Sequence, residues 1–171
     1  MAENSTMTRE EILRRRIRVW LWLFIVGLFI SGATAIPLQT ELHLLSQNFA
    51  DPTSSSLMSQ WLLNVDRALG DVAATHPFLF YGTDWLAFGH FIIALVFVGA
   101  LLDPIRNKWL FTFGLIACAL VVPYAFVFGA VRGIPIFWRV IDCSFGVIGA
   151  IPLLLCRRYV NELELASSGP K

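Results

Sequence analysis

Two ionisable residues, His90 and Asp142, each fall inside a long apolar run. An ionised side chain at the centre of a bilayer costs at least ~2.5 to 3.5 kcal/mol on insertion scales, so such a residue points to a partner, a ligand or a proton path. Both lie at similar depth below the same ends of their runs. Tyr124, five residues before the end of its own run, reaches a comparable level, and Asp84, Arg132 and Arg139 stand nearer the surface. A polar pocket built from Asp84, His90, Tyr124, Arg132, Arg139 and Asp142 is therefore expected in one leaflet, with His90 and Asp142 facing each other. Arginines in such a pocket suit an anionic or polar headgroup, because guanidinium pairs with oxyanions through two parallel hydrogen bonds. A simpler arrangement uses the same residues structurally. Arg139 and Asp142, three apart, pair on one helix face, His90 bonds a neighbouring helix, and Asp84 caps its span at the interface.

Other chemistries find less support. A zinc site needs three or four ligands, and only Asp84, His90 and Asp142 stand at suitable depth, so no metal is expected. Haem of the bis-histidine type needs paired histidines within spans, whereas His43 and His76 lie between them. No nucleophile-base pair or phosphate loop is recognisable, and no cofactor is expected. Cys118, Cys143 and Cys156 lack metal spacing and read as small packing residues. A net charge of +1 gives no footprint for nucleic acid.

The elements that must position these residues are membrane spans. Of 171 residues, 57% are hydrophobic and 15% charged, and the charges gather between the apolar runs. Runs at 19–36, 82–102, 109–129 and 136–155 each approach the ~20 residues that cross a bilayer. The expected fold is all-α: a four-transmembrane-helix bundle forming one integral membrane domain, with residues 1–18 a basic N-terminus and 156–171 a polar tail. Arg9, Arg14, Arg15, Arg16 and Arg18 precede the first run, Arg106 and Lys108 separate the second from the third, and Arg157 and Arg158 follow the fourth. The positive-inside rule places all three groups in the cytoplasm, with both termini, and the location expected is the bacterial cytoplasmic membrane. Ala33-Thr34-Ala35 resembles a cleavage site, but the length of the first run favours a retained anchor.

Residues 37–81 then form an outer loop. Within it Leu57, Trp61, Val65, Leu69 and Val72 recur at helical spacing, predicting an amphipathic surface helix over 51–75 that starts at Asp51-Pro52. Gly27 with Ser31, Gly114 with Cys118, and Gly146 with Ala150 have the small-xxx-small spacing of close helix contacts, within the chain or with another membrane subunit.

Asp84, then His90-Phe91, Arg132 in the last outer connection, and Asp142 followed by Gly149 give residues 81–155 a layout that resembles the VanZ-like membrane proteins, which are associated with glycopeptide resistance. Where that family carries a Glu-x-x-Gln element, this chain reads Pro123-Tyr124-Ala125-Phe126-Val127, and Gly146 replaces its Asn. The resemblance implies a ligand-facing role for His90, Arg132 and Asp142. Three functions follow as expectations. The first is a non-enzymatic accessory or structural subunit whose partners are the lipid bilayer and other membrane subunits. The second is an envelope protein that binds or modifies a lipid or polar headgroup in the pocket. The third is a small proton or solute carrier using His90 and Asp142.

Overall fold

The computed structural model of the protein describes residues 8–167. The last residues of the expected tail, 168–171, and the first seven of the basic N-terminus lie outside them. Six helices account for most of the described chain: α1 (Arg9–Ala35), α2 (Leu38–Phe49), α3 (Leu57–Thr75), α4 (Tyr81–Leu102), α5 (Lys108–Val131) and α6 (Ile136–Ser167), with one 3-10 turn at Pro77–Phe80 before α4. There is no strand among the described residues. α1, α4 with its preceding turn, α5 and α6 are long and apolar enough to cross a membrane, and the protein is an all-α, multi-pass membrane protein. Large apolar side chains such as Leu23, Leu95, Ile116 and Val147 are exposed along these helices, as lipid-facing residues are.

Two of the spans extend well beyond their apolar runs. Thr8 and Glu11 form a capping box, Thr8 Oγ1 accepting the Glu11 amide at 3.3 Å and Glu11 Oε2 accepting the Thr8 amide at 2.8 Å. This reciprocal cap satisfies two otherwise orphaned donors, so α1 begins in the basic stretch, about ten residues before its apolar run. α6 likewise continues through the arginines after residue 155 to Ser167.

The chain divides into two compact units. The first holds the start of α1 through Gly27, α4 from Ala94, and all of α5 and α6. It is a four-helix bundle. Leu13, Ile17, Leu21 and Ile25, spaced four apart on α1, form its buried stripe with Phe97 of α4, Phe111 of α5, and Leu153, Cys156 and Val160 of α6. Phe24 meets Phe97 edge-on at 4.8 Å, and the Cys156 thiol donates to the Ile17 carbonyl at 3.6 Å. α5 and α6 approach closely because glycines remove side chains from their contact. A Cβ placed on Gly146 would stand 2.6 Å from the Cys118 carbonyl oxygen, and one on Gly114 would stand 2.7 Å from Leu153. Two of the three small-residue pairs are thus consumed inside the chain.

The α5–α6 turn is a Schellman motif. The Ile134 amide donates to Gly129 O at 2.8 Å and the Gly133 amide to Ala130 O at 3.2 Å. Gly133, with φ of 69°, supplies the left-handed residue that this motif requires.

The second unit, Leu28–Ile93, contains the end of α1, α2, α3, the 3-10 turn and the start of α4. At Gly32 the backbones of α1 and α4 come so close that a Cβ would stand 2.9 Å from both His90 Cβ and Phe91 Cε1. The segment expected as a loop with one helix holds two helices, packed as a hairpin. The surface helix also starts later than predicted. Asp51 is spent on a local turn, its Oδ1 accepting the Thr53 amide at 2.8 Å and the Thr53 hydroxyl at 2.7 Å, while Ser56 caps α3 by accepting the Ser59 amide at 3.2 Å. Asx turns of this kind compete with helix for the same backbone amides.

Candidate functional site

The six residues expected in one pocket divide between the units. In the second unit, Asp84 is exposed in the first turn of α4, where a carboxylate suits the positive end of the helix dipole. His90 lies two turns further on, with Nδ1 2.8 Å from the Leu86 carbonyl of its own helix. That distance assigns the proton to Nδ1, so one ring nitrogen is satisfied without any neighbouring helix.

In the first unit, Tyr124 is exposed on α5 and its ring stacks on Phe128 at 4.5 Å. Arg132 caps the end of α5 and is exposed, with its amide donating to Phe128 O at 2.9 Å. Arg139 turns back to the Schellman turn. Its Nε donates to Ile134 O at 2.7 Å, and its methylenes cover Gly129, where a Cβ would stand 2.7 Å from Arg139 Cδ. The i, i+3 pairing with Asp142 that spacing allows is therefore not made, because the guanidinium is held at the helix start. Asp142 is half-buried one turn further along α6. Among the described residues no group of three potential metal ligands is present.

Sequence reasoning missed the densest polar cluster, which ties α2 to α3. His43 Nδ1 lies 3.2 and 3.1 Å from the two Asp66 oxygens, Ser46 Oγ donates to Asp66 Oδ2 at 2.6 Å and to His43 O at 2.9 Å, and Gln47 Nε2 stands 2.9 Å from His43 Nε2. The geometry fits a ring protonated at Nδ1 that donates to Asp66 and accepts from Gln47 through Nε2. A histidine, an aspartate and a serine together suggest nucleophilic catalysis, yet the serine here donates to the carboxylate and Gln47 occupies the nitrogen that would take its proton. What the cluster can do is lock the two helices. His43 and Ser46, one turn apart, were a legible face, but Asp66 is 20 residues beyond Ser46 and joins them only through the hairpin.

Those bonds hold the Asp66 carboxyl below the usual carboxylate range, first through Ser46 and then through His43. A depressed folded value means that the stabilisation is present above the unfolded carboxylate pKa of about 3.9 and disappears as pH falls through the folded value. Thermal melting in detergent should therefore show stability falling below about pH 4. Asp66→Asn should flatten that acid limb and lower the plateau, and an unchanged limb in the variant would assign the titration to another group.

No protein-family model matches the chain, and no match was found among curated proteins or solved structures.

Proposed function

We propose that the protein is a non-enzymatic accessory or structural subunit of a membrane complex, and that a partner's membrane helix docks along α4. One observation carries this reading. Gly82 and Gly89 lie two turns apart on one face of α4, and a Cβ added to either meets nothing within 4 Å. Gly32, Gly114 and Gly146 are each closed off by their own chain, whereas the Gly82–Gly89 face is open and continues through Leu86 and Ile93, both exposed. Small residues on an open membrane helix allow another backbone to approach, and close packing is what drives association where lipid already solvates apolar side chains.

Purification in mild detergent should yield a stoichiometric membrane partner with the wild-type chain. Gly82→Leu with Gly89→Leu should lose it while leaving the melting temperature of the isolated protein unchanged. A lone wild-type chain carrying bound lipid would instead favour the headgroup-binding alternative.

The same reading sets the protein in the bacterial cytoplasmic membrane with both termini in the cytoplasm and the α2–α3 hairpin outside. It is supported by the arginines in the first turns of α1 and in the last third of α6, which flank the apolar runs of those helices. A cysteine introduced at Ser55 should then react with an impermeant reagent from outside, and one at Asn161 only after permeabilisation. The reverse pattern would invert the topology.

A further inference from the structure

We infer that the arginine-bearing end of the first unit binds an anionic phospholipid, its phosphate held by Arg15 and Arg16 and one acyl chain lying along α1. The inference is independent of the subunit reading. It begins with an open groove of about 280 Å³ lined by Ile12, Arg15, Arg16, Val19 and Trp20. Its lining is almost wholly apolar, the methylene stems of Arg15 and Arg16 contributing beside Ile12, Val19 and Trp20.

The carboxylates nearby are engaged elsewhere. Glu10 pairs with Arg14 at 2.9 Å, Glu11 caps Thr8, Glu162 pairs with Arg158 at 3.2 Å and Glu164 with Lys108 at 2.6 Å. Among the described residues no carboxylate pairs with Arg15 or Arg16, so their charge is free for an anion. Arg16 is also pre-positioned, with its guanidinium carbon 5.7 Å from the Tyr159 ring centre on α6. A stacked guanidinium keeps its in-plane N–H groups for a phosphate, which a lysine ammonium cannot match in geometry.

What selects a lipid over a free phosphate is the surface that follows. Val19, Leu23 and Val26 continue from Arg15 and Arg16 along the same side of α1, and all are exposed. Arg16 to Val26 spans about 15 Å of helix, half of a hydrocarbon core of about 30 Å. An acyl chain whose headgroup sits at the arginines therefore has an apolar track for the depth of its own leaflet. A neutral zwitterionic lipid gains the track but brings its own cation to the arginines.

Native mass spectrometry of the full chain in detergent, titrated with phosphatidylglycerol or phosphatidylcholine, tests this. Wild type should retain phosphatidylglycerol roughly tenfold more tightly, and R15Q/R16Q should bind the two lipids about equally. R157Q/R158Q removes the same charge outside the groove and should keep the preference. Equal binding of both lipids by wild type would overturn the inference. So would equal loss in the two arginine variants, which would mean a diffuse positive field. Displacement of phosphatidylglycerol by inorganic phosphate at matching concentrations would also overturn it, since the track would then contribute nothing. Should R15Q/R16Q not fold, V19S/L23S carries the same decision: weakened phosphatidylglycerol binding supports the track, and unchanged binding removes it.

Discussion

Gly146→Leu is expected to separate α5 from α6 and to destabilise the first unit by roughly 3 kcal/mol or more, the upper end of overpacking effects. The new Cβ alone would stand 2.6 Å from the Cys118 carbonyl oxygen and 3.4 Å from Val121 Cβ. The obstacle is backbone, which cannot rotate away as a side chain can. Relief requires the helices to move apart, and that movement removes the contacts that Gly114 makes possible with Leu153. Gly89→Leu is the matched control, because nothing lies within 4 Å of its added Cβ and replacing glycine within a helix is intrinsically favourable by several tenths of a kcal/mol. Unfolding in mixed micelles should therefore show a large loss for Gly146→Leu and none for Gly89→Leu. Equal tolerance of both would mean that the α5–α6 contact is not as close as described.

Phe97→Ala should produce the second large effect. Phe97 is fully buried, sits edge-on against Phe24 at 4.8 Å, and its Cζ would stand 3.0 Å from a Cβ on Gly114, so it fills the space where α1, α4 and α5 meet. In a water-soluble core this truncation costs about 3 to 5 kcal/mol. Between membrane spans the transfer part of that cost shrinks, because lipid solvates an exposed phenyl ring nearly as well as protein does. The lost dispersion contacts around the cavity remain, and a destabilisation of roughly 2 to 3 kcal/mol is expected. Leu95→Ala, two residues earlier and 65% exposed, should change the same unfolding free energy by less than about 0.5 kcal/mol. A comparable effect of the two would show that burial in this unit does not set stability.

α2 is the element that the sequence pattern does not disclose. Leu38, Leu42, Leu45 and Phe49 recur at helical intervals, but Gln39, Thr40, Glu41, His43, Gln47 and Asn48 lie between them, and the segment starts at a proline. Such a short, polar helix has little stability of its own, since nucleation is unfavourable and only packing sustains it. Leu42 of α2 and Leu62 of α3 are both buried in the second unit, and the His43–Ser46–Asp66 cluster satisfies the polar groups beside them. α3 is legible because its apolar stripe from Leu57 to Val72 runs for about four turns, but the helix begins at Leu57 and not at Asp51. Both Asp51 and Ser56 have cap chemistry, and the choice between them rests on Thr53 taking the Asp51 oxygen.

The membrane character, the all-α class and the four spans followed from the sequence itself, because in lipid every backbone amide must be satisfied within its own segment and a long apolar run has no other stable form than helix. Intramembrane polar residues were equally visible from composition. What they bond to was not. Arg139 satisfies the Ile134 carbonyl instead of Asp142, and His90 satisfies Leu86 within α4. Asp66 meets residues 20 and 23 positions away. Hydrogen bonds act over about 3 Å, so their partners depend on helix rotation, turn geometry and the close approaches that glycines permit, all of which are decided only when the helices pack.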